Sequence, residues 1–261
     1  MKKIVAIVLA IAMIASVAVL SGCSGEKKSE SGKEKLTMAT NAYFPPYEYY
    51  EGEEIIGIDA EVAQAIADKL DMELEIVDIE FDSIIAGVQT GKYDMGMAGM
   101  TVTDVRKQSV DFSDSYATGI QSIIVTEDSP IKSIDDILAK DADYKVGVQL
   151  STTGDIYISD DFDKEGKSAD LITEFQTGND AVAALASGKV DAVIIDNEPA
   201  KSYVAATSGL KILDTEYVTE DYAICFSKDN TELKDKVNAA LKELIADGTV
   251  QKIIDKYITA E

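Results

Sequence analysis

Ile84-Ile85-Ala86-Gly87-Val88-Gln89-Thr90-Gly91-Lys92-Tyr93-Asp94-Met95 aligns without gaps against Ala181-Val182-Ala183-Ala184-Leu185-Ala186-Ser187-Gly188-Lys189-Val190-Asp191-Ala192. Each copy reads as an apolar helix, a Gly-Lys stop and a strand opened by Asp, so the chain is of the α/β class. In open α/β sheets ligands gather beyond the carboxyl ends of strands. The first copy delivers Gly99, Thr101 and, a turn later, Arg106 to such an end; the second delivers Asp196. One half-site carries a cation and the other an anion. Two lobes facing one cleft would bring them together around a zwitterion.

The stretch after the first copy, Gly96-Met97-Ala98-Gly99-Met100-Thr101-Val102-Thr103-Asp104-Val105-Arg106, holds the only arginine among 24 basic side chains. A composition that uses Lys for generic positive charge reserves Arg for a planar, two-pronged grip on a carboxylate or phosphate. A surface cation that drifted to Arg is the plainer reading. Its place after a small, hydroxyl-bearing turn favours the binding role. Arg106 is expected to stand exposed in an open cleft, its partner charge supplied by a ligand.

From Leu36 onward, short apolar runs alternate with helical patterns. Strands are expected near 36–40, 74–79 and 93–98, and helices near 59–70, 82–90 and 103–108. The helix at 59–70 puts Val62, Ala63, Ile66, Ala67 and Leu70 on one face, with acids in its first turn. In a second series, Ser133 caps a helix through Leu138, and a strand at 144–148 precedes a helix at 153–161. A strand at 171–175, a helix at 179–187, a strand at 192–195 and a helix at 198–207 follow. Last come a strand at 222–226, a helix at 231–247 stopped by Gly248, and a short helix at 250–258.

Residues 1–22 read as a targeting segment: Lys2-Lys3, an apolar run from Ile4 to Leu20, then Leu20-Ser21-Gly22-Cys23. That tetrapeptide resembles the lipobox of bacterial lipoproteins, which implies cleavage before Cys23 and lipidation of its thiol; an uncleaved anchor helix is the alternative. Residues 23–35 are polar and read as a flexible tether. Only Cys225 then remains, in the apolar run Tyr222-Ala223-Ile224-Cys225-Phe226, as a buried inert thiol with no disulfide partner. The absence of histidine removes the commonest zinc ligand and the usual general base, and no metal or cofactor is expected. With Lys2 and Lys3 removed, 22 basic face 48 acidic side chains, a surface that repels nucleic acid and anionic headgroups.

A free α-amino acid needs donors for its carboxylate and an acceptor for its ammonium. Arg106, Thr101 and the Gly99 backbone can supply donors from one lobe. Ser151, Thr152 and Thr153, a hydroxyl-rich turn at a helix N-terminus, supply more from the other. Asp196 would take the ammonium. Helix capping competes for Ser151–Thr153, and for Asp196 before Asn197-Glu198-Pro199. Tyr43, Phe44, Tyr47, Tyr49 and Tyr50 crowd around Pro45-Pro46 and read as a pocket wall, some of them as a small loop core. Phe81 is a candidate second wall.

Several motifs carry a family resemblance. They are Gly57-Ile58-Asp59-Ala60-Glu61-Val62-Ala63-Gln64-Ala65-Ile66-Ala67-Asp68-Lys69-Leu70, Ala98 through Arg106, Asp111-Phe112-Ser113, Val146-Gly147-Val148-Gln149-Leu150-Ser151-Thr152-Thr153-Gly154, and Asp191 through Asp196. From Leu36 to the C-terminus the chain resembles the extracellular solute-binding proteins of polar amino-acid ABC importers, the family of glutamine- and lysine/arginine/ornithine-binding proteins. The resemblance implies a ligand-binding set of Asn41, Phe44, Phe81, Ala98, Gly99, Thr101, Arg106, Gln149, Thr152, Thr153 and Asp196. Arg106, Thr101, Thr152 and Thr153 would hold the carboxylate, Gly99 would offer backbone groups, Asp196 would take the ammonium, and Phe44 and Phe81 would sandwich the side chain. The chain departs from the pattern in having Ala60 where a larger residue or Thr is usual and Ser151 where Gly is common. Asn41 stands where members often carry an acid that reads the ligand's side chain. That counts against a lysine- or arginine-specific site while leaving it open.

The implied fold is the two-lobe, type II periplasmic-binding-protein-like architecture. Residues 36–118 with 221–261 would form lobe one, 119–220 lobe two, and strands near 119–125 and 222–226 the hinge. The implied function is capture of a free polar L-α-amino acid between closing lobes and its delivery to a membrane permease. The protein would be a monomer, extracytoplasmic and lipid-anchored, without nucleic-acid partners. Rival readings are an enzymatic relative (the fold includes a dehydratase and a domain of peptidoglycan lyases), a metal-binding lipoprotein and a freestanding sensory domain. Against the first stand the missing histidine, the lack of a nucleophile elbow and the lack of a surplus acid that can be placed in the cleft. Against the second, Asp161-Phe162-Asp163-Lys164-Glu165-Gly166 only faintly resembles a calcium loop, and Ile172 occupies the place of its bidentate acid. Against the third, no further domain follows Glu261.

Overall fold

The computed structural model describes residues 32–214 and 217–258; the leader, Cys23 and most of the tether lie outside the described residues. The chain begins with β1 (Lys35–Thr40), then a small antiparallel sheet of β2 (Tyr43–Phe44), β3 (Glu48–Glu51) and β4 (Glu54–Ile56). Next come α1 (Ile58–Lys69), β5 (Glu73–Asp78), α2 (Phe81–Gln89), β6 (Met95–Gly96), α3 (Arg106–Ser109) and the long strand β7 (Val110–Thr126). The second series is α4 (Ile134–Leu138), β8 (Val146–Gln149), α5 (Thr153–Glu165), β9 (Ile172–Phe175), α6 (Gly178–Ala186), β10 (Ala192–Asp196), α7 (Asn197–Ala206) and β11 (Leu210–Ile212). Then β12 (Val218–Ser227), α8 (Thr231–Ala246) and α9 (Thr249–Tyr257) return to the first.

The main sheet runs β5-β1-β6-β12-β7-β10-β8-β9, with β11 also on β7. It comprises two parallel blocks, β5-β1-β6 and β10-β8-β9, joined through the antiparallel pair β7 and β12. β12 reaches β6 at Cys225, whereas β7 reaches β10 between Gln121 and Ile124. Each parallel block with its helices is one lobe, and the strands between them form the hinge. Leu36, Met38, Val62, Ile66, Val237 and Leu241 are fully buried in the first lobe; Ile123, Val125, Val146, Val148, Ile158 and Phe162 fill a core of the second.

The internal repeat has a structural reason. Gly91 and Gly188 both take left-handed φ, +71° and +72°, at the turn that closes each helix, where a side chain would be strained. The Asp that opens each following strand receives a backbone N–H from the neighbouring strand: Thr37 to Asp94 at 2.7 Å, and Lys145 to Asp191 at 2.8 Å. The same Gly-Lys-x-Asp device therefore pins one parallel strand to the next in both lobes.

Three expectations are corrected. The strand near 93–98 pairs only at Met95–Gly96, because the chain leaves the sheet in a turn at Gly99, φ +51°. The helix near 103–108 shrinks to Arg106–Ser109, and Thr103 stays outside it as a cap whose hydroxyl accepts the Arg106 N–H. Lys35, placed in the tether, already pairs in β1 with Glu73. Asp94→Ala removes a carboxylate that accepts two hydrogen bonds from Thr37, and we expect it to cost about 2–3 kcal/mol in a urea titration; an unchanged midpoint would contradict the pinning role.

Candidate functional site

The eleven residues expected at the site line one cavity between the lobes, and Glu48 of β3 joins them. The cavity measures about 310 Å³ including its mouth. Lobe one contributes the loop after β1, the start of α2 and the loop from Met97 to Arg106. Lobe two contributes the end of β8, the start of α5 and the end of β10.

Arg106 does not stand exposed in an open cleft. It is 6% exposed, because the lobes meet over it. Its guanidinium donates to the Thr101 carbonyl at 2.7 Å and across the cleft to the Ser151 carbonyl at 3.1 Å, and it lies over the Phe81 ring at 5.4 Å. Its opposing charge is also not left to a ligand alone. Burial pulls its pKa down, and Glu220 is the chief acid opposing that fall. Three further contacts bridge the lobes. Gln149 donates to the Asn41 side-chain oxygen at 2.9 Å, the Thr101 and Thr153 hydroxyls meet at 3.4 Å, and the Tyr203 phenol donates to the Tyr43 carbonyl.

Two expected donors are engaged elsewhere. Gly99 lines the cavity, but its N–H is held by Asp59 at 2.8 Å. The Thr152 hydroxyl donates to the Gln149 carbonyl at 2.7 Å and caps α5, so helix capping accounts for that side chain. The first turn of α5 still presents backbone N–H groups at Thr153. Ser151 has a left-handed φ of +63°, which explains why glycine suits this position; its N–H is caught by Asp155 at 3.0 Å. Asp196, by contrast, sits at the cap position of α7 without making a cap bond. Its carboxylate instead accepts the Tyr222 phenol.

Of the aromatic run, Phe44 lines the cavity, Tyr47 packs edge-on against Tyr222 in the core, and Tyr43 and Tyr50 are largely exposed. Cys225 is fully buried, and burial pushes its thiol up to about 12.

The residues that sequence reasoning missed are the acids Glu48, Asp59 and Glu220. Glu48 is 1% exposed, and no protein donor reaches either of its oxygens. Burial, then the neighbouring Asp59 and Asp196, push its pKa well above the carboxylate range. Asp59 is fully buried under the Gly99 loop and also accepts the Tyr116 phenol at 2.8 Å. Burial raises it to about 6 against the pull of Gly99, Glu48 and Tyr116. Asp196 is raised by burial and by the Glu220 charge. Glu220 accepts from Gln121 at 2.9 Å and from Thr153 at 3.0 Å. A signal existed for this last residue: Glu220 and Tyr222 are two apart on β12 and share its inward face.

The family of bacterial extracellular solute-binding proteins, family 3, matches residues 36–260. The chain belongs to this family. Among its relatives is the arginine-binding extracellular protein ArtP of Bacillus subtilis (strain 168), 38% identical over 93% of this chain and 93% of its own. An ancestral arginine-binding protein solved with arginine bound is 38% identical, with a TM-score of 0.79 over 86% of this chain and 98% of that one. The ancestral amino-acid-binding protein AncCDT-1, a precursor of cyclohexadienyl dehydratase, is 33% identical, with a TM-score of 0.76 over 85% and 95%. The family's two-lobe fold is thus present here. The named relatives are binding proteins, one of them ancestral to an enzyme.

The raised carboxyl of Asp59 sets a pH dependence. A carboxyl that holds its proton more tightly when folded stabilises fully below its unfolded pKa, near 4, and that contribution is lost as pH rises through its folded value of about 6. The ligand-free protein is therefore expected to melt at progressively lower temperature from pH 4 to pH 7. Calorimetric melting across that range tests it, and a midpoint that rises instead would remove the assignment.

Proposed function

We propose that the amino acid captured by this chain is L-arginine. As a family 3 solute-binding protein it is the extracellular, amino-acid-capturing component of an ABC importer, and the choice of ligand is the open question. One observation carries the choice: the Glu48 carboxyl, buried at the cavity wall with no protein donor at either oxygen. A buried acid that no protein donor reaches is costly to ionise, and a cationic side chain supplies the missing donors and charge. Asn41 cannot play that part, since its oxygen is taken by Gln149 and its amide by the Ile79 carbonyl. Glu48 is the acid that Asn41 does not provide.

In this reading the planar guanidinium lies between Phe44 and Phe81 with its edge toward Glu48. Arg106, the Thr101 hydroxyl and the α5 N-terminus at Thr153 take the α-carboxylate. Asp196 and the Gly99 carbonyl take the α-ammonium. Ala98, Gln149 and Thr152 shape the cavity wall. Lobe one spans about 36–118 and 221–261, and lobe two about 119–220. Ligand contacts both and so favours the closed state. That the named relatives ArtP and the ancestral protein bind arginine supports the choice. Lipidation at Cys23, which would hold the protein at the outer face of the membrane beside its permease, is proposed from Leu20-Ser21-Gly22-Cys23 alone. We propose no catalysis.

A thermal-shift screen of the common amino acids is expected to give arginine the largest rise, lysine a smaller one and glutamate none. A rise for neutral amino acids without one for arginine would sink the choice. Arg106→Lys is expected to weaken binding about a hundredfold or more, because the two-pronged grip on a partly buried carboxylate is lost. Calorimetry showing unchanged affinity would remove Arg106 from the carboxylate site.

A further inference from the structure

The charge count in the cleft is unbalanced. Among the described residues the buried acids are Glu48, Asp59, Asp155, Asp196 and Glu220, and the only buried base is Arg106. Asp155 and Glu220 have their own hydrogen-bond donors, and so does Asp59. Glu48 has none, yet it lies beside Asp59. Two adjacent carboxylates are both acceptors and repel; they can bond each other only when one carries a proton. The charged groups that act on Glu48 are Asp59 on α1 and Asp196 on β10, and Glu48 in turn acts on the phenols of Tyr47, of Tyr116 on β7 and of Tyr203 on α7. None of them is a cation.

We propose that capture of the cationic amino acid is an exchange of cation for proton at the Glu48–Asp59 pair. In the unliganded protein Glu48 carries a proton and donates it to Asp59, which the Gly99 N–H and Tyr116 phenol hold in place. When a guanidinium arrives, its N–H groups and charge replace that proton. The proton leaves Glu48 for solvent, and no other bond changes. Asp59 meanwhile keeps its grip on the Gly99 N–H, so the exchange happens at the one cavity wall that also bears the loop for the ligand's backbone end. Lower pH at the outer membrane face then weakens capture, and higher pH strengthens it.

The inference rests on the arginine reading, and the two fail differently. Arginine titrated calorimetrically into the protein at pH 7, in buffers of different ionisation enthalpy, gives the number of protons released. We expect about one proton fewer from Glu48→Gln than from the native protein, since glutamine cannot ionise and any release at Asp196 is common to both. Equal proton counts in the two proteins overturn the exchange. A heat of binding independent of buffer in the native protein overturns it as well, whatever the variant does. Native affinity for arginine should also rise by up to about tenfold per pH unit between pH 5.5 and 7.5; a flat profile overturns the exchange. Absence of any arginine binding would instead fail the functional reading.

Discussion

Acid side chains buried around the cleft outnumber the one buried guanidinium, and this imbalance governs the rest of the structure. Glu48, Asp59, Asp196 and Glu220 are each at most 6% exposed. A fold keeps such groups only by supplying donors, by letting them hold protons, or by leaving them for an incoming cation. This chain does all three. Glu220 is met by Gln121 and Thr153 at one oxygen only, Asp59 by Gly99 and Tyr116, and Asp196 in part by Tyr222. Only Glu48 is left with no protein donor.

These partners explain why the elements are arranged as they are. Tyr222 and Glu220 belong to β12, which runs from one parallel block to the other beside β7. Asp196 ends β10 in the second block, and Asp59 begins α1 in the first. The hinge strands therefore carry the hydrogen-bonding groups that hold both half-sites. Gly119 on β7 leaves room for the Tyr222 phenol, which a side chain at that position would overlap. The lobes meet through Arg106 to Ser151, Gln149 to Asn41 and Tyr203 to Tyr43.

Much of this was legible in the sequence because it follows from local rules. The repeat marked two helix-to-strand turns, and both proved to need left-handed glycines and a pinning Asp. Arg106, Thr101 and Asp196 were legible because they lie just past strand ends. Glu48 was not, since in Tyr47-Glu48-Tyr49-Tyr50-Glu51 it reads like any acid of a polar hairpin. Only the packing of β3 against α1 turns that side chain inward. The donors of Gly99 and Thr152 were misassigned for the same reason: their competitors, Asp59 and the Gln149 carbonyl, lie at positions set by tertiary structure and, for Thr152, by a cap. The exposure of Arg106 depends on lobe closure, which no local pattern encodes.

The central claim is that a buried, unpaired carboxyl selects for charge at the end of the ligand's side chain. L-Citrulline has the length and shape of L-arginine but a neutral urea in place of the guanidinium, so the comparison isolates charge. Calorimetric dissociation constants for the two at pH 7.5 test the claim most directly. Citrulline is expected to bind at least about a hundredfold more weakly, because beside its neutral group Glu48 keeps its proton and no charge-assisted pair forms. Equal affinities would contradict the account.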